Sequence, residues 1–81
     1  MIIDVKLFAL AKELAGADSI RIELPAQATI AVLRAAICEA HPKLAPVMGQ
    51  VMLAVDTEYA GDEQILEEGA EVACIPPVSG G

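Results

Sequence analysis

The residues with the clearest chemical purpose stand together at the end of the sequence: Pro76, Pro77, Val78, Ser79, Gly80 and Gly81. The two prolines fix φ at about −65° and offer no backbone N–H, so they halt strand pairing and send the chain onward in extended form. Gly80 and Gly81 lack a Cβ and can pass through a channel that would exclude a side chain. An extended segment from Ile75 to Gly81 reaches about 20 Å, at roughly 3.3 Å per residue. The Gly81 carboxylate can therefore enter a site outside its own domain. The expected arrangement is a slim, extended end, from Pro76 to Gly81, that inserts its terminal carboxylate into such a site. The plain alternative is a frayed end without function; paired prolines followed closely by paired glycines weigh against it.

Little else in the sequence offers chemistry. Cys38 and Cys74 lie far apart, with no Cys-x-x-Cys spacing and no Cys/His cluster, so they form neither a zinc-ligand set nor a redox pair. Two buried thiols are the expected reading. A disulfide between them stays open on sequence grounds, although a reducing compartment argues against it. His41 has no sequence-near ligand or base and precedes Pro42. Contact with the last carbonyls of a helix, or with water, is the simpler role for it. No metal site is expected.

The positioning frame is one small domain over residues 1–75, followed by a flexible tail over 76–81. Hydrophobic residues make up 56% of the 81, yet Phe8 and Tyr59 are the only aromatics. The core must be built from Ile, Leu, Val and Ala. No apolar run approaches the roughly 18–20 residues of a membrane span. Asp4 and Lys6 interrupt the apolar start, so no secretory signal is expected. The expectation is a soluble, cytoplasmic protein.

Charge is unevenly distributed. Residues 1–43 contain all five basic side chains, Lys6, Lys12, Arg21, Arg34 and Lys43, against five acids. From residue 44 onward come Asp56, Glu58, Asp62, Glu63, Glu67, Glu68 and Glu71 with no Lys, Arg or His, so the whole net charge of −7 resides there. Such a surface repels phosphate backbones and excludes nucleic acid as a partner, while a basic protein surface would be attracted. Solubility alone would also account for the acids.

Periodicity supplies the elements. Residues 2–8 are rich in Ile, Val, Leu and Phe and read as a strand. Residues 9–15 read as a short helix with Leu10 and Leu14 on its apolar line and Gly16 as its left-handed end. Ile20, Ile22 and Leu24 alternate with Ser19, Arg21 and Glu23, the period of a half-buried strand. Thr29 caps a longer helix whose inward stripe is Ile30, Leu33 and Ile37, and His41-Pro42 closes it. Residues 44–50 read as a loop broken by Pro46 and Gly49. Residues 51–55 form a buried strand, Asp56-Thr57 turn into a short arm around Tyr59, and residues 71–75 form a last strand apolar on both faces. Such a strand belongs in the middle of a sheet. The fold class is α+β: a mixed sheet, one long helix on one face, and a C-terminal tail that protrudes from the centre.

Several of these stretches resemble the β-grasp, ubiquitin-like sulfur carriers, and specifically the small subunits of molybdopterin synthase. The resemblance is carried by Leu7-Phe8-Ala9 with Lys12-Glu13-Leu14-Ala15-Gly16, by Ala54-Val55-Asp56, and above all by residues 68–81, which end in Pro-Pro-Val-Ser-Gly-Gly. It runs over the whole length. Three positions depart from the family pattern: Val32 replaces an acidic capping residue, Asp56 stands where Asn is common, and Cys74 stands where a larger apolar residue is frequent. They concern packing and turns and leave the tail intact.

The resemblance implies a mechanism. An adenylyltransferase partner, resembling ubiquitin-activating enzymes, would use ATP to convert the Gly81 carboxylate into an acyl-adenylate. Sulfur transfer would then leave a thiocarboxylate as a covalent sulfur on Gly81. A large catalytic subunit would receive the tail and accept the sulfur into a cyclic pterin precursor, forming the molybdopterin dithiolene within a two-plus-two heterotetramer. This chain itself would bind no cofactor. Both partners must grip the same small body, and the resemblance implies an apolar docking face of Phe8, Tyr59 and Ile75, for which core packing is the alternative. Other functions remain open: a sulfur carrier for the thiamine thiazole, whose ends usually lack Pro-Pro-Val-Ser; a ubiquitin-like modifier joined through Gly81 to lysines; and a noncovalent β-grasp interaction module.

Overall fold

The computed structural model describes residues 1–77. The expectations placed on Val78, Ser79, Gly80 and Gly81 lie outside the described residues. Strand β1 (Ile2–Leu7) alternates strictly, with Ile3, Val5 and Leu7 buried and Ile2, Asp4 and Lys6 exposed. It pairs antiparallel with β2 (Ser19–Glu23), where Ile3 opposes Ile22 and Val5 opposes Ile20, so both strands send their aliphatic residues to one face. Between them runs helix α1 (Ala9–Ala15), closed by Gly16 at φ 68°, whose N–H donates to the Lys12 carbonyl. The small Ala11 is the residue of this helix that enters the core, while Leu10 is exposed and Leu14 half-buried. The expected Leu10–Leu14 stripe is therefore rotated by about one position. A helix of seven residues tethered to a strand end takes the face its tether imposes, and alanine permits the close approach.

Helix α2 (Ile30–Ala40) begins where Thr29 accepts the Val32 N–H at 3.3 Å. Ile30, Leu33 and Ile37 are completely buried against the sheet. The helix ends at His41, whose N–H donates to the Ile37 carbonyl, and Pro42 opens a 3-10 turn (Pro42–Leu44). A second short helix, α3 (Ala45–Met48), follows where a loop was expected. Pro46 misled the sequence reading, because a proline in the first turn removes only an N–H that has no intrahelical partner. Leu44 and Met48 are thereby carried into the core.

Strand β3 (Met52–Val55) leads through Asp56 and Thr57, both at positive φ, into the two-residue arm β4 (Glu58–Tyr59). Positive φ at both central residues is the backbone of a type I′ hairpin, which follows the natural twist of the strands. Strand β5 (Val72–Ile75) completes the sheet in the order β2-β1-β5-β3-β4. It lies parallel to β1 and antiparallel to β3, in the central place that its two apolar faces predict. Asp56 ties the hairpin to the start of this strand: its N–H donates to the Glu71 carbonyl at 2.8 Å, and its side chain accepts the Glu71 N–H at 3.0 Å. The helices cover one face of the sheet, and the core between contains no buried polar side chain among the described residues. No helix among them is long and apolar enough to cross a membrane. This is the expected α+β, β-grasp arrangement.

Candidate functional site: the tail root and the uncovered sheet face

The last strand holds the root of the tail from both sides. Ile75 pairs with Met52 on β3, and the Phe8 N–H donates to the Cys74 carbonyl at 3.3 Å at the end of β1. Pro76 is still buried, whereas Pro77 is exposed. Neither proline can donate to a ladder, so β5 ends at Ile75, between its two ordered neighbours.

Register defines the face that accompanies it. Leu7 and Cys74 are aligned and point into the core, so Phe8 and Ile75, the next residue on each parallel strand, point the other way. Met52, directly opposite Ile75, shares their face. One step back from the tail, Lys6, Ala73, Ala54 and Tyr59 form a continuous rung across four strands. Phe8 is 47% exposed, Tyr59 66% and Met52 46%, while Ile75 is half-buried. The structure thus brings Phe8, Tyr59 and Ile75 to one uncovered face beside the tail root. It adds Met52, which the sequence reading folded into a buried strand. The missing signal was alternation: Val51, Leu53 and Val55 take the core side, which leaves Met52 and Ala54 on the other.

On the helix side of the root, Phe8, Leu10, Val47, Gln50, Ile75 and Pro77 line a groove of about 670 Å³. Leu10 and Val47 reach it because α1 is turned outward and α3 is a helix, the two features that periodicity did not supply. Arg34 fastens α3 in place, donating from Nη1 to the Met48 carbonyl at 2.7 Å and from Nε to Asp62 at 3.1 Å. Its side chain is only 23% exposed, and it serves as a brace between α2 and α3.

Charge occupies the opposite end of β5. Glu71 precedes the strand, and Asp56, Glu58, Glu67 and Glu68 surround that end, all exposed. Among the described residues Asp62 is the one acid after residue 44 that forms a salt bridge. An apolar pole at the tail root and an acidic pole at the strand's start give the molecule a definite polarity.

The described part of the site holds no machinery for bond making. No group of three or more His, Cys, Asp or Glu converges as a metal set among the described residues. Cys38 and Cys74 are free thiols; Cys74 is wholly buried, and burial pushes its pKa up, partly offset by the charge of Arg34. A thiol held protonated in an apolar core is a poor nucleophile.

Residues 5–81 match the ThiS family. The chain belongs to the ThiS family. It is 42% identical to the molybdopterin synthase sulfur carrier subunit of Caenorhabditis briggsae, covering 98% of this chain and 96% of that protein. It is also 42% identical to the molybdopterin synthase sulfur carrier subunit of Chlamydomonas reinhardtii, covering all of both. Among solved structures it is similar to SAMP1, small archaeal modifier protein 1, from Haloferax volcanii, with TM-score 0.88 and 30% identity over the whole of both chains.

Proposed function

We propose that this ThiS-family chain is a sulfur carrier subunit of molybdopterin synthase. The observation that carries the reading is the position of β5: a central strand, held on both edges, whose apolar face continues to the point where Pro76 and Pro77 release the chain. A tail rooted there has a fixed origin and a docking surface around it. The full-length similarity to curated sulfur carrier subunits supports the choice of pathway.

The chemistry follows from the weakness of a carboxylate as an electrophile. Ionised at neutral pH, the α-carboxyl of Gly81 resists attack until activated. An oxygen of that carboxylate attacks the α-phosphate of ATP on an adenylyltransferase, pyrophosphate leaves, and an acyl-adenylate forms. A sulfide-level sulfur donor then attacks the carbonyl carbon and AMP departs, leaving a thiocarboxylate. In the large subunit the softer sulfur attacks a carbon of the cyclic pterin precursor, the new C–S bond replacing a C–O bond whose oxygen leaves, and a second loaded carrier supplies the second sulfur of the dithiolene. Water subsequently cleaves the bond between sulfur and the Gly81 carbonyl carbon, which restores the carboxylate and leaves sulfur on the product. Side chains of the partner supply the acids and bases, since this chain presents none at the root among its described residues. Val78, Ser79 and Gly80, with Pro77, are the threaded stem; Phe8, Tyr59 and Ile75, joined by Met52, are the face both partners grip, with basic groups on the partner meeting the acidic pole.

The similarity to a small archaeal modifier favours one second reading, in which Gly81 is joined to lysine amines instead. Reconstitution separates them. Thiocarboxylated chain mixed with the large subunit and cyclic precursor should yield dithiolene product in proportion to carrier consumed. Absence of product, with lysine adducts formed in the presence of ATP and the activating enzyme, would overturn the carrier reading in favour of the modifier.

A further inference from the structure

Four non-glycine residues among the described ones have positive φ. Asp56 and Thr57 build the hairpin turn, and Gln27 lies in the turn before α2. The fourth, Ala9 at φ 50°, stands between Phe8 and Leu10, at the edge of the tail-root groove. In that left-handed region an L-residue brings its Cβ against the following carbonyl; Asn, Asp and Gly occupy it more readily than alanine. Strained backbone of this kind persists where the surroundings impose it.

The surroundings here are specific. Phe8 is extended, with φ −126° and ψ 154°, and its N–H is tied to the Cys74 carbonyl. Its own carbonyl accepts the Ala11 N–H at 3.1 Å and the Lys12 N–H at 3.5 Å. Ala11 is buried. The chain must therefore pass from a fixed strand end to an anchored helix within one residue, and Ala9 makes that change of direction. Strand alternation already turns Phe8 outward, and the change of direction at Ala9 sets Leu10 beside it: both remain about half exposed and line the same groove.

From this arrangement we infer that Ala9 is a positioning residue, whose left-handed backbone presets Phe8 and Leu10 for partner docking around the tail root. The inference rests on the docking surface of the proposed function. Glycine would adopt these angles freely but over a wide range, so the two side chains would lose their fixed relation and ordering them would be deferred to binding. Asparagine favours the same left-handed well and keeps it narrow.

The test compares the full-length chain with Ala9→Gly and Ala9→Asn. It measures the Kd for the large subunit of molybdopterin synthase, the single-turnover sulfur-transfer rate at saturation, and Tm. Both substitutions relieve strain and should raise Tm. Ala9→Gly should weaken binding by about threefold, the scale of a glycine's extra backbone freedom, with an unchanged saturated rate because the Gly81 chemistry is untouched. Ala9→Asn should keep the wild-type Kd. A wild-type Kd for Ala9→Gly, or an equal loss in both variants, would overturn the positioning role. Failure of the unaltered chain to bind or transfer sulfur would instead overturn the sulfur-carrier reading on which this role rests.

Discussion

At the scale of single residues, two cysteines differ by position more than by chemistry. Cys74 lies under the central strand with no exposed surface, and Cys38 is half-buried on α2. Burial raises the Cys74 pKa, with Arg34 pulling weakly the other way. The unfolded chain releases that thiol proton first, so it binds fewer protons than the native state once pH passes the ordinary thiol value, about 8.5. Stability is therefore fully present below that value and declines as pH rises above it towards the raised native pKa. Cys74→Val should flatten the alkaline limb of Tm against pH. In the native protein a thiol reagent should modify Cys38 first, with Cys74 labelled only on unfolding, as read by intact mass. Residue types also decided how much of the site was legible. Pro76 and Pro77 mark the end of β5 by their own covalent constraints. Met52 and Leu10 carry no such mark, because an apolar side chain looks the same in sequence whether it faces a core or a partner.

Among the elements, the hairpin between β3 and β4 contains an avoidable penalty. Thr57 sits at φ 74° with a branched side chain, where a type I′ turn prefers Gly after Asp. Thr57→Gly should stabilise the fold by about 1 kcal/mol, raising Tm by roughly 4–8 °C in a domain of this size, with no change in partner affinity. Calorimetry on both proteins checks it. Arg34 is the converse case, a brace whose loss leaves the Met48 carbonyl and Asp62 without their partner. Arg34→Ala should destabilise the protein by about 1–3 kcal/mol by urea titration and loosen α3, and so the Val47 side of the groove. The strands and α2 were readable because period two and the i, i+3, i+7 stripe of Ile30, Leu33 and Ile37 survive packing unchanged. Helix α3 was not. Its four residues are too few for periodicity to register, and its Pro46 occupies the one part of a helix where proline is tolerated. The rotation of α1 was hidden for a related reason: a burial pattern centred on alanine gives way, in sequence, to the nearby leucines.

For the whole molecule, the architecture separates two tasks. Aliphatic burial on the helix side of the sheet holds the body together, while the other side, which no helix among the described residues covers, presents Phe8, Tyr59 and Met52 around Ile75 at the end of β5. The acidic pole lies at the far end of the same strand. Central placement of β5 was foreseeable from its two apolar faces, but the polarity of the molecule was not, because it arises from long-range register between strands distant in sequence. The proposed function puts one reactive atom on Gly81, and the intact mass of the chain after reaction with the activating enzyme, ATP and a sulfur donor reports that atom. The expected result is a gain equal to sulfur minus oxygen in the unaltered chain, and no gain in a Gly81 deletion that keeps the wild-type Tm. An unchanged mass in the unaltered chain, or the same gain in the deletion, would contradict it.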